Sequence, residues 1–245
     1  MNFKSRKSVV ICIINSPETM RKILLILLLS VLVQYTKAQC NEFYALKKGT
    51  AWQISNFNAK EKYLGKTIQT VKEYKKTTSG FEATIEVVSE DDKGEQYVAG
   101  ATSIKCENGI IFFNLEDMFP DEAMKSIENF EVKVDGTNLE LPDDLKVGQT
   151  LKDAELTMQV DASPLKMTFI ISVTNRVVEA QENLKVPAGS FDCYKIKQNV
   201  NTKTMVKVES NTIEWYAKGV GMIKSETYNK KGKLVGYSLL SAYKE

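Results

Sequence analysis

Ser190, Asp192 and Cys193 crowd together in the stretch Val186-Pro187-Ala188-Gly189-Ser190-Phe191-Asp192-Cys193-Tyr194. A hydroxyl and a thiol beside a carboxylate are the raw material of nucleophilic catalysis, in which a base draws the proton from the attacking atom. That base is ordinarily histidine, and the chain has none. No Ser-His-Asp or Cys-His unit can be assembled from it. The commonest zinc ligand is missing for the same reason, and no Cys-x-x-Cys pair compensates. Glycine-rich phosphate and dinucleotide loops are absent too. The stretch reads instead as a bend and a strand. Pro187 and Gly189 suit a tight turn, and Phe191 to Ile196 continues in extended form.

Two carboxylates can hydrolyse a glycoside without histidine. The adjacent acids are Glu116 with Asp117, Asp121 with Glu122, and Asp143 with Asp144. Acids at turns and helix starts more often cap backbone N–H groups and favour the helix dipole. None has the spacing of a calcium loop. No catalytic residue, metal ligand or cofactor is therefore assigned. Aromatic residues are the remaining candidates: Trp52, Phe57, Tyr63, Phe112, Phe113, Trp215 and Tyr216 either line a groove for a lipid or glycan or fill a sheet core. Trp52, Phe112, Phe113 and Trp215 are kept as candidate ligand-binding residues. Phe112 and Phe113, being adjacent on a strand, point to opposite faces.

The elements that would position these residues are strands. Leu165 to Thr174 is apolar at every odd position and polar at the even ones apart from Ile170. Phe81, Ala83, Ile85 and Val87 alternate likewise with Glu82, Thr84 and Glu86. Period two is the signature of a half-buried strand. Asn108-Gly109 predicts a two-residue hairpin turn. Asp91-Asp92-Lys93-Gly94, Asn229-Lys230-Lys231-Gly232 and Ser79-Gly80 predict further hairpins, and short connections imply antiparallel neighbours. One short helix of two to three turns is expected between Leu115 and Asn129, with Pro120 in its first turn. The fold class is mainly β: an antiparallel, strongly curved sheet, a half-barrel or open barrel. Residues 135–151 read as a connector and mark the boundary if the domain, 39–245, divides into two lobes.

The N-terminal residues are addressing. Met20-Arg21-Lys22, an apolar run from Ile23 to Val33 and Thr36-Lys37-Ala38 describe a signal peptide cleaved after Ala38, and residues 1–19 an over-extended start. The run is shorter than the roughly twenty residues a membrane span needs, so an exported rather than integral membrane protein is expected. Gln39 and Lys37 do not suit the small and apolar positions before a lipidated cysteine, which argues against lipid attachment at Cys40. Residues 1–38 carry six bases and one acid, so a chain of 207 residues from Gln39 has a net charge of −3 and one arginine, Arg176. Without a basic stripe it is not expected to bind nucleic acid. Cys40, Cys106 and Cys193 remain. In an oxidising compartment one disulfide and one thiol are compatible with three cysteines, and any of the three pairings is open.

Four motifs resemble one family of secreted bacterial β-proteins. They are Cys40-x-x-x-Tyr44-x-Leu46-Lys47-Lys48-Gly49-Thr50-x-Trp52, Lys105-Cys106-Glu107-Asn108-Gly109, Val186 to Tyr194, and Trp215-Tyr216-Ala217-Lys218-Gly219-Val220-Gly221. In order and spacing they are similar to the TapB-like family, related to a domain of unknown function. The resemblance implies an exported antiparallel β domain and supplies no catalytic residues. A looser similarity to the half-barrels of periplasmic lipoprotein carriers implies a sheet that shelters acyl chains. The expectation is an exported, non-enzymatic envelope protein that binds a lipid or other amphipathic ligand on a curved sheet. An assembly module that joins an envelope protein through sheet edges, and a carboxylate-dependent hydrolase of envelope polymers, are the alternatives.

Overall fold

Alternating side chains become strands along most of the chain. A computed structural model describes residues 40–118, 127, 129–203 and 206–245. Thirteen strands follow in chain order: β1 (Ala51–Asn58), β2 (Tyr63–Lys76), β3 (Gly80–Asp91), β4 (Gln96–Glu107), β5 (Ile110–Phe113), β6 (Glu131–Gly136), β7 (Leu139–Pro142), β8 (Ala154–Ala162), β9 (Leu165–Val186), β10 (Gly189–Lys203), β11 (Lys207–Ala217), β12 (Gly221–Asn229) and β13 (Leu234–Lys244). All belong to one sheet, ordered β6-β8-β9-β10-β11-β12-β13-β1-β2-β3-β4-β5-β7. Every neighbouring pair is antiparallel. The sheet is strongly curved and not a closed barrel.

The predicted turns sit between these strands. Asn108 and Gly109 both take positive φ and join β4 to β5 directly. Asn229 closes the β12–β13 turn with its side chain, whose Oδ1 accepts from Lys231 N at 2.9 Å and Lys233 N at 3.1 Å. Asp91 does the same after β3, accepting from Lys93 N and Glu95 N. Between Leu115 and Met118 the chain makes a 3-10 turn. The rest of the predicted helix, Pro120 to Ser126, lies outside the described residues.

Residues 135–151, expected as a connector, carry β7. That strand pairs with β5 at one edge of the sheet, while β6, just before it in the chain, pairs with β8 at the other. Only Thr137 and Asn138 separate the two edge strands, so both ends of the curl meet there. Thr137 N donates to Glu155 O at 2.8 Å, and Lys152 Nζ lies 2.6 Å from Glu140 Oε1. Side chains seal the join: Leu115, Ala154, Leu156 and Val173 form a small buried cluster against Leu139 and Val200. The main core includes Val71, Phe81, Ile85, Ile111, Ile196 and Leu240, whose strand parity puts them on the concave side. Burying each such side chain contributes about 1.5–3 kcal/mol.

β9 is long, and it is broken by a bulge where Asn175 takes a φ of 54°. Thr174 faces Asn199 and Val177 faces Lys197, so Asn175 and Arg176 together oppose Gln198. The extra residue turns Arg176 inward, against the alternation of its strand.

Candidate functional site

A cavity of about 300 Å³ opens on the concave face. β1 contributes Trp52 and Ile54, and β3 and β4 contribute Ile85 and Ile104. Phe113 of β5, Leu115 and Leu139 of β7 close one side, and Tyr216 and Met222 of β11 and β12 the other. Strands from distant positions in the sheet order reach one cavity only because the sheet curls. Tyr44, from the segment before β1, forms part of the lining. Its ring meets those of Trp52 and Phe113 edge-on, with centroids 6.4 and 5.8 Å away.

Four polar residues interrupt the apolar lining: Gln69, Thr102, Asn114 and Glu214. Glu214 is the one carboxylate among the described lining residues. Strand alternation places it on the same face as Thr212 and Tyr216, and the Tyr216 hydroxyl donates to its Oε2 at 2.8 Å. Protein surrounds Glu214 even though the cavity reaches part of its surface. Burial raises its pKa, opposed by the Tyr216 hydrogen bond and the positive charge of Arg176. The Tyr44 and Tyr216 hydroxyls are held well above the ordinary tyrosine range, first by burial and then by the nearby Glu214 charge.

Arg176 stands behind this group, 3 % exposed. Its Nε donates to Gln198 Oε1 at 3.1 Å, and a terminal nitrogen to Lys152 O at 2.8 Å. Burial lowers its pKa, and Tyr216 and Glu214 act in the opposite sense. Among the described residues no carboxylate reaches salt-bridge distance of it. Glu214, Asp153 and Glu140 act on its charge at longer range, within a region where charge is costly to leave uncompensated.

The other three sequence motifs converge on the first, the segment from Cys40 to Trp52, which also supplies Tyr44 and Trp52 to the cavity lining. Cys40 is joined to Cys106 by a disulfide. Asn41, fully buried, donates to Gly109 O at 2.8 Å and Leu141 O at 3.1 Å. Phe43 packs edge-on against Tyr194. Gly219 N donates to Glu42 O at 2.7 Å, and Trp52 Nε1 donates to Val220 O at 2.7 Å. Gly221 lies directly under Tyr44, where a β-carbon would come within 2.5 Å of the ring. Each of the other three motifs holds at least one point of this segment.

Of the aromatic candidates, the structure brings Trp52 and Phe113 into the cavity and leaves Phe112 and Trp215 on the other face. Phe112 alternates with the buried Ile111 and the lining Phe113, as the opposite-face expectation requires. Trp215 Nε1 donates to Glu182 Oε1 at 2.6 Å, and Lys224 Nζ sits 4.7 Å from its ring centroid. Ser190 is exposed at the start of β10. Cys193 is buried and unbonded to another cysteine. Burial, then Asp192 and Glu182, push its thiol up to about 11, so it stays protonated at neutral pH and is a poor nucleophile. Asp117 caps the loop by accepting from Thr102 Oγ1 and Ser103 N, while Asp121 and Glu122 lie outside the described residues. Neither Asp143 nor Asp144 lines the cavity. Among the described residues no cluster of acids and cysteines could hold a metal ion, and no helix is long and apolar enough to cross a membrane.

Glu214, Tyr44 and Arg176 were not singled out by sequence reasoning. A signal existed for Glu214: it shares parity with Tyr216 in a strand whose opposite face carries Trp215. The bulge that turns Arg176 inward had no local mark beyond the polar pair Asn175-Arg176.

Residues 47–240 match the DUF3108-like family. Two solved structures share the fold. One is a Bacteroides fragilis protein assigned as exported, with a YmcC-like fold, at 24 % identity and a TM-score of 0.67. The other is a Parabacteroides distasonis protein assigned as a lipoprotein, at 22 % identity and a TM-score of 0.67. Each match covers 84 % of this chain and 100 % of the other. No curated protein matches the chain.

Proposed function

The chain belongs to the DUF3108-like family, and we propose that it is an exported, non-enzymatic envelope protein holding a lipid or other amphipathic ligand against its concave face. The cavity beside Trp52 and Phe113 carries this reading. Small-molecule sites are typically concave and mostly apolar, with a few placed polar groups and volumes from about 300 Å³ upward. One carboxylate in that lining cannot perform two-acid glycoside hydrolysis, which leaves the hydrolase alternative without support. Export rests on the leader pattern ending at Ala38, and a disulfide at Cys40 fits an oxidising compartment. That bond also occupies the sulfur a thioether-linked lipid would need. The narrower grouping with TapB-like proteins rests on the four motifs alone.

Incubating the purified protein with envelope lipids and weighing the re-isolated complex by native mass spectrometry tests the reading. A bound mass released by organic solvent is expected. Protein that emerges empty from every lipid class would sink it. A second reading, assembly through a sheet edge, draws on β6, a short edge strand with Val134 partly exposed. Reproducible crosslinking to a protein partner in cells, with no lipid bound, would favour it.

A further inference from the structure

We infer that the cavity selects a single-chain amphiphile whose head group donates hydrogen bonds, a hydroxyl or an amine, over one that only accepts them, a carboxylate. This deepens the reading above and rests on the cavity being a ligand site.

The argument is an inventory of protons. Trp52 Nε1–H is committed to Val220 O. The Thr102 hydroxyl donates to Asp117 Oδ2 at 2.6 Å, and the Tyr216 hydroxyl donates to Glu214. Asn114 turns its amide nitrogen toward Asp117 Oδ1 at 3.5 Å. These bonds use up lining donors and leave lone pairs behind on Thr102 and Tyr216. Glu214 adds the most acceptor capacity when it is ionised, since a carboxylate then offers about four lone-pair sites and no proton. Tyr216 supplies the one donor hydrogen-bonded to it among the described residues. Three groups run the other way in part, since Gln69 can donate or accept, Asn114 keeps a second amide proton and Tyr44 retains a hydroxyl proton. Arg176 is not among the lining residues, so a ligand meets Glu214 and not the guanidinium.

A donor head satisfies these lone pairs. A carboxylate head would face them with lone pairs of its own, and a buried polar group left unpaired loses roughly 1–3 kcal/mol. The apolar remainder suits one chain. The cavity has room for on the order of ten heavy atoms at about 30 Å³ each.

The test is calorimetric titration of the protein with 1-decanol, decylamine and decanoate at neutral pH. Emission of a Trp215→Phe protein, in which Trp52 is the remaining tryptophan, shows whether binding occurs at the cavity. Decanol and decylamine are expected to bind at least about tenfold more tightly than decanoate. Glu214→Gln replaces two acceptor oxygens with an amide that also donates, and should bring the three affinities within about threefold by the same inventory. Decanoate binding as tightly as decanol to the unaltered protein overturns the head-group assignment and leaves the cavity reading standing. A Glu214→Gln protein that folds and keeps full discrimination overturns the role of Glu214. If none of the three binds, both the assignment and the cavity reading fall. The comparison on the unaltered protein decides the matter even if the variant does not fold.

Discussion

Breaking the bond between Cys40 and Cys106 should cost the protein more stability than any other change that removes no core atoms. The two cysteines are 66 residues apart. In the chain-entropy account a loop of that length removes about 14.6 cal/mol/K from the unfolded ensemble, or about 4.4 kcal/mol at 25 °C. The native state has little to regain on reduction, because Asn41 and Phe43 remain buried and bonded whether or not the sulfurs are joined. With a urea m-value of roughly 2–3 kcal/mol/M for a domain of this size, the midpoint should fall by roughly 1.5–2 M. The assay compares urea unfolding of oxidised protein with protein reduced under native conditions, followed by fluorescence of the two tryptophans. Reduction avoids the packing change that a Cys106 substitution would introduce at a fully buried position. A midpoint shift below about 0.5 M, near 1 kcal/mol, would refute the reasoning. It would mean that the unfolded chain is already restrained near this contact, or that the bond strains the native state as much as it restricts the unfolded one.

Further outcomes follow from the same geometry. Arg176→Ala leaves Gln198 Oε1 and Lys152 O without their donor and Glu214 without its balancing charge, so chemical denaturation should report a loss of about 3 kcal/mol. Glu214 has a folded pKa raised above its unfolded 4.5. The folded state therefore keeps a proton that the unfolded state releases; stability from this group is full below pH 4.5 and lost as pH rises toward the folded pKa. Urea midpoints of Glu214→Gln should thus fall less between pH 4.5 and 8 than those of the unaltered protein, and parallel curves would contradict this. Gly80→Ala would place a β-carbon 2.1 Å from Cys106 O and 2.5 Å from Cys40 Sγ. A destabilisation of at least about 2 kcal/mol, with the Cys40–Cys106 bond reduced at a lower concentration of added dithiothreitol than in the unaltered protein, is the expected result.

Much of the fold was legible because strand formation and hairpin closure are local. Phe81, Ala83 and Ile85 are all nearly inaccessible, as their alternation requires. Asn108-Gly109 turns the chain because both residues tolerate positive φ. Leu165 to Thr174 is a strand as its pattern demands, but Leu165 is 60 % exposed and burial begins only near Ile171. Alternation marks which side chains share a face; it does not tell how far the covering layer extends. For residues 135–151 the turn residues Gly136, Pro142 and Gly148 were visible, whereas β7 between them was too short to show a period.

The missing histidine is a property of composition, and it alone excludes a Ser-His-Asp or Cys-His unit at Ser190 or Cys193. The candidate site was less legible. Trp52 and Phe113 were among the named aromatics, yet nothing local separated them from Phe112 and Trp215. Facing the cavity depends on the parity of each strand relative to the concave side, and that side exists only once thirteen strands have curled together. The choice of Cys106 over Cys193 as partner for Cys40 has the same origin. Glu214 and Arg176, 38 residues apart in the sequence, come together instead through the β9 bulge, two strands away in the same sheet. Local patterns determined the strands, their turns and the excluded chemistries. Which side chains meet across the curl was decided by tertiary structure, because those contacts join strands whose separation along the chain carries no periodic signal.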